Sequence, residues 1–286
     1  MKLRVMFEQG RKAYIGFILA LMYVPIVLVI AYSFNENRLN SVWSGFSLIW
    51  YGELFRDRAI FSALRNSLVL AATSSFAAAV IGTMGAFGIA LEVKSTSAGK
   101  SAGGLSRIME YLSILPIMTP EIILGMVLLV FFSLMGLPLG MMTLILAHTC
   151  FCIPYVYLLV KTRLSGLSRS YIEAARNLGA GPWRAFWDIM LPLLMPAIIS
   201  GMLLSFAMSF DDVVVSIFVT GPQTNTLPIR IYTQIKTGVT PKTNALCSLL
   251  FIITVFLCIL SAVVSQIKPP GEKPNKRDSV NVKQKF

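Results

Sequence analysis

The sequence predicts an all-α membrane protein with six transmembrane helices, and three observations carry that prediction. First, 56% of the residues belong to the AVILMFWYC set and 13% are charged, about half the charged share of an ordinary soluble domain. Second, six runs are long and apolar enough to cross a bilayer, which takes about 20 residues: 14–34, 64–91, 108–134, 141–160, 193–219 and 244–267. Third, Lys and Arg are concentrated in alternate connecting segments, as the positive-inside rule expects of a polytopic chain.

Residues 1–13 are a basic amino terminus with Lys2, Arg4, Arg11 and Lys12. The run at 14–34 contains Pro25 and has no small-residue cleavage site before Asn35, so it reads as a retained span and not a secretory signal. Segment 35–63 has room for a short surface helix. The second run carries Ala71, Ala72, Ala77, Ala78, Ala79, Gly82 and Gly85, small residues of the kind that let helices approach closely in lipid. Pro116 and Pro120 fall inside the third run and predict a kink beside Glu121. The fourth run holds His148, Cys150 and Cys152, and the sixth holds Cys247 and Cys258. Their spacing matches neither a zinc site nor a disulfide framework, so the cysteines are expected to pack as small hydrophobes. The tail 268–286 is polar, basic and Pro-containing, and its composition predicts disorder. There is no internal repeat.

With the amino terminus in the cytoplasm, the inner segments hold eighteen of the 25 Lys and Arg residues. The outer segments hold Arg38, Arg56, Arg58, Arg65, Arg230, Lys236 and Lys242. Both termini are therefore expected in the cytoplasm. The net charge of +12 reflects these loops and tails, and no nucleic-acid partner is expected.

Catalytic constellations are thin. The stretch AGKSAGG (98–104) ends like a phosphate-binding loop, but the position of its first glycine is Lys94 and a membrane span precedes it, where a strand is needed. His148 is the one histidine, with no carboxylate at ligand spacing, so no metal site is expected. A hydrogen bond to a neighbouring helix is its simplest role, and proton relay is the alternative. Any energy for transport has to come from a partner or an ion gradient.

Segment 161–192 breaks the apolar pattern. Its core, EAARNLGAGPWRAFWDIMLP (173–192), allows one short helix with Tyr171, Ala174, Ala175 and Leu178 on one face. Gly179 and Gly181 permit a turn, and Pro182 suits the first position of a second helix. Trp183, Phe186, Trp187 and Met190 would be that helix's apolar face. Such a hairpin could lie on the bilayer or dock into a soluble partner.

Glu121, Asp211 and Asp212 are acids within spans. A charge there costs roughly 2.5–3.5 kcal/mol on insertion scales, so the two readings are a structural cap or pair and a pathway for a cation. On straight helices rising 1.5 Å per residue, Glu121 stands about 16 Å beyond Glu110 and Asp211 about 24 Å beyond Met195, two different depths.

The pattern Glu173-Ala174-Ala175, three residues, Gly179, nine residues, Ile189-Met190-Leu191-Pro192 resembles the EAA loop of ABC importer permeases at every fixed position. FDDVVVSIFVTGP (210–222) and LPIRIYTQIKTGVTPKTNAL (227–246) are similar to the second permease subunit of bacterial spermidine/putrescine importers. The resemblance implies a type I ABC importer permease, residues 14–267, in the bacterial inner membrane. It implies that Glu173, Ala174, Ala175 and Gly179 couple the chain to an ATP-binding subunit dimer that carries the ATP and Mg, with no cofactor and no enzymatic activity on this chain. It further implies a second, homologous permease as heterodimer partner, a periplasmic substrate-binding protein and a polyamine substrate. Another small solute, such as ferric iron, is the alternative within the superfamily, and a gradient-driven transporter is the alternative outside it.

Overall fold

Two broken helices organise the part of the chain that carries the acidic residues. The computed structural model describes residues 2–38, 42–95, 104–167, 171, 177, 179 and 181–266, and these divide into two compact units, 1–56 with 238–286 and 57–237.

In the first unit, α1 (Lys2–Tyr32) runs along α11 (Pro241–Gln266), and the short α2 (Ile49–Arg56) also packs on α11. The most apolar stretch of α1 lies within Gly10–Tyr32, and none of it is buried, a surface suited to lipid. Between α1 and α2 the chain folds around Asn35, which is fully buried. Its amide donates to the Val42 carbonyl at 2.8 Å and its Oδ1 accepts the Ser44 N–H at 3.1 Å, while Trp50 Nε1 donates to the Asn35 carbonyl at 2.7 Å. The short helix expected in segment 35–63 is α2.

The second unit is built on α3 (Arg58–Ser95), α6 (Met141–Ser165) and α8 (Leu191–Asp211), which pack mutually. The small residues of α3 have the packing role expected of part of that set: Ala71, Ala78 and Ala79 are buried. A Cβ added at Gly82 would stand 3.0 Å from Cβ of Val156, and one at Gly201 of α8 would stand 3.0 Å from its Cα. Val156 of α6 thus sits between two glycines, and the three backbones close up where no larger residue fits. Around it Cys152, Tyr157, Val160, Met190 and Leu194 form the buried core. Asp57 Oδ1 caps α3 by accepting the Ala59 N–H at 2.9 Å, and its Oδ2 receives Arg230 of α10 (Leu227–Thr237) at 3.4 Å.

The third apolar run is not one rod. It divides into α4 (Gly104–Met118) and α5 (Glu121–Leu134), bent by 110°. Pro120, with φ −54° and ψ 132°, is the extended residue at the break. It has no N–H to give the helix, and it disfavours helical geometry at Thr119. The fifth run also breaks: α8 stops at Asp211, Asp212 is extended (ψ 129°), and a short α9 (Val214–Val219) follows. Backbone of this kind is tolerated at membrane depth where it lines a cavity or is buried in protein.

Among the described residues, four helical stretches are long and apolar enough to cross a membrane, Gly10–Tyr32, Arg58–Ile89, Met141–Ser165 and Phe186–Asp211, and the bent pair, counted as one span, makes five. The described apolar part of α11, Pro241–Phe256, is shorter.

Candidate functional site

The two breaks meet at one cavity. It encloses about 290 Å³ and is bordered by Thr119 and Glu121 at the first break, by Asp211, Asp212 and Val213 at the second, and by Phe151 and Tyr155 of α6. The three acidic residues singled out in the sequence are therefore brought together. Placing them at two depths relied on straight helices, and the 110° bend removes that premise.

Each carboxylate has its own setting. Glu121 opens α5 and is exposed, in the first turn where the positive end of the helix dipole favours an anion. Asp211 ends α8 and is also exposed. Asp212 turns inward. Its Oδ1 accepts the Val215 N–H at 3.2 Å, and its Oδ2 accepts both the N–H and the hydroxyl of Ser216 at 2.8 Å. These bonds supply the partners that the first N–H groups of α9 lack.

His148 lies behind Asp212, fully buried. Its Nδ1 meets Ser209 Oγ at 2.8 Å and its Nε2 meets Ser216 Oγ at 3.0 Å, with Asp212 Oδ2 at 3.4 Å from the same nitrogen. The sequence suggested no carboxylate partner for this histidine, because Asp212 is 64 positions away and only the break in the fifth run turns it inward. Ser209 continues the chain of bonds to Ser74 of α3 at 2.9 Å.

Phe151 and Tyr155 were not singled out from the sequence. A signal existed, since His148, Phe151 and Tyr155 follow i, i+3, i+7 spacing along α6, one face of a helix. Aromatic rings and carboxylates lining one cavity are suited to an ammonium group, which gains from ring faces as well as from charge. Among the described residues, no group of three His, Cys, Asp or Glu could hold a metal ion.

Of the segment expected to couple to a partner, Glu173, Ala174 and Ala175 lie outside the described residues. Gly179 is described, with φ +79° and nothing within 4 Å of a Cβ placed there. That left-handed conformation is why a glycine suits the turn. Pro182 opens α7 (Pro182–Ala185), and a π-helical turn, Phe186–Met190, joins it to α8. Of the apolar face expected over 183–190, Phe186 and Met190 pack inward and Trp187 stays exposed, its ring edge-on to that of Phe186 at 5.5 Å; the side chain of Trp183 lies outside the described residues.

Residues 95–267 match the family of binding-protein-dependent transport system inner membrane components. The chain is 42% identical over 235 residues to the putrescine transport system permease protein PotI of Escherichia coli, covering 80% of this chain and 81% of that one. It is 37% identical over 256 residues to the spermidine/putrescine transport system permease protein PotC of Haemophilus influenzae, covering 90% and 96%. Its fold is similar to a chain of a bacterial ABC transporter that imports the acidic polysaccharide alginate (TM-score 0.69, 13% identity, covering 94% of this chain and 99% of that one). It is also similar to a chain of the MetNI methionine ABC transporter (TM-score 0.59, 20% identity, covering 78% and 100%).

Proposed function

We propose, from the premise that this chain belongs to the family of binding-protein-dependent transport system inner membrane components, that it is the membrane-spanning permease subunit of an ATP-driven importer of polyamines. One observation carries the substrate: Glu121 and Asp211 line a single cavity together with Tyr155 and Phe151. Two exposed carboxylates and two rings offer a chain with ammonium ends a replacement for its hydration shell, and the names of the two relatives point to the same solutes.

The body crosses the bacterial inner membrane six times, with α4–α5 and α8–α9 each counted as one broken span and both termini in the cytoplasm. The distribution of Lys and Arg supports that orientation. An ATP-binding subunit dimer hydrolyses ATP with Mg and engages the 161–192 segment through Glu173, Ala174, Ala175 and Gly179. A second permease completes the path, and a periplasmic binding protein delivers the polyamine. Transport consists of alternating exposure of the Glu121–Asp211 cavity to the two sides.

The test is uptake of labelled putrescine and spermidine by proteoliposomes holding the full assembly. ATP-dependent, binding-protein-dependent accumulation is expected. Accumulation that persists without the ATP-binding subunit would replace this reading with a gradient-driven transporter.

A further inference from the structure

We propose that His148 is a positioning residue for transport, a strut that fixes the break in the fifth span and thereby aims Asp211 into the cavity. The inference rests on the cavity being the substrate path.

The geometry is that of a clamp across the break. Before the break, Ser209 of α8 meets His148 Nδ1 at 2.8 Å. After it, Ser216 of α9 meets Nε2 at 3.0 Å. At the break, Asp212 Oδ2 lies 3.4 Å from the same Nε2. The Ser216 hydroxyl donates its hydrogen bond to Asp212 Oδ2, which leaves Ser216 Oγ a lone pair for an Nε2–H, and Nδ1 can then accept from Ser209. One imidazole held on α6 thus ties together both sides of the interruption.

Helix α9 is six residues long, and a helix that short does not hold its own geometry; packing on α5 holds its far side, and the tie to His148 holds it to α8 across the break. Asp211 is the last residue of α8, two positions after Ser209, so the bond between Ser209 and His148 holds the helix end that carries it. The ring of His148 also lies 5.0 Å from that of Phe151, centroid to centroid, so the strut braces the aromatic wall of the same cavity. A role in packing alone would be filled by any ring of that size. A positioning role needs the two nitrogens.

The experiment uses the full assembly in proteoliposomes, in a background whose native cysteines are replaced, with Val213→Cys reporting on the break. The rate at which a small water-soluble thiol reagent modifies position 213 is read without substrate, and the half-saturating putrescine concentration is read separately. His148→Phe keeps the ring and removes both nitrogens. It is expected to change the labelling rate several-fold and to raise half-saturation several-fold, with a smaller effect on maximal rate. His148→Gln, whose amide can donate towards Ser216, is expected to restore most of both. If His148→Phe does not assemble, Ser216→Ala carries the same two measurements.

Labelling within about twofold of the parent overturns the proposal, as does altered labelling with unchanged half-saturation, which makes His148 a residue of the fold alone. A parent assembly that takes up no polyamine while labelling responds to His148→Phe overturns the substrate assignment and the transport role of His148, and leaves the strut geometry standing.

Discussion

Gly125 and Phe218 join the two broken spans at van der Waals limits: a Cβ on Gly125 of α5 would stand 2.5 Å from Cδ2 of Phe218 on α9. Helices α5 and α9 pack on each other, and each follows a break that borders the acidic cavity. Gly125→Ala forces the ring or the helices apart, an overpacking cost of about 1–3 kcal/mol. The purified assembly should melt at a lower temperature, and Phe218→Leu should recover part of the loss in the double variant. Equal melting of Gly125→Ala and wild type would mean the contact is slack.

Asp211 and Asp212 should differ in stability experiments. Asp212 accepts two backbone N–H groups and a hydroxyl, so Asp212→Ala should cost about 0.5–2 kcal/mol and lower the melting temperature. Asp211→Ala should leave it near wild type. Equal losses in the two variants would show that Asp211 also has a structural role.

Gly179 has φ +79°, a conformation that a β-branched residue rarely adopts. Gly179→Val should weaken transport more than it weakens insertion into the membrane, and Glu173→Ala should do the same if the proposed contact to an ATP-binding subunit runs through its carboxylate. Co-purification with that subunit and ATP-driven uptake are the measurements. Full uptake with normal association in both variants would remove the coupling role from the loop.

The topology is testable by thiol labelling in a background without native cysteines. Ser101→Cys in intact cells should be shielded from impermeant reagents, and Thr224→Cys should react. The reverse pattern would invert the orientation read from the basic residues and move the 161–192 segment away from any cytoplasmic ATPase.

The family and the helical, membrane-spanning character were legible in the sequence because they rest on local signals: long apolar runs, sparse charge and one long motif. The small-residue stripe of α3 was legible for the same reason, and Gly82 does let α6 approach. Pro116 and Pro120 announced a kink. They did not announce a 110° bend, because a proline's effect on a helix depends on what fills the angle. The break at Asp212 was illegible, since FDDVVVSIF reads as continuous apolar helix on either side of its two acids. That break explains why the acids meet at one cavity and why His148 has a carboxylate neighbour, both of which depend on pairs far apart in the chain.

Charge neutralisation at the cavity separates a cation path from a structural pair. The initial rate of labelled spermidine uptake is measured for Asp211→Asn and Glu121→Gln in the full assembly, alongside its association with the ATP-binding subunit. The amides keep size and hydrogen bonding and remove the charge. Uptake should fall several-fold in each, a loss of about 1.4 kcal/mol corresponding to tenfold, while association stays at wild-type level. Wild-type uptake in both neutral variants would exclude a cation path through these carboxylates and return Glu121 and Asp211 to structural roles.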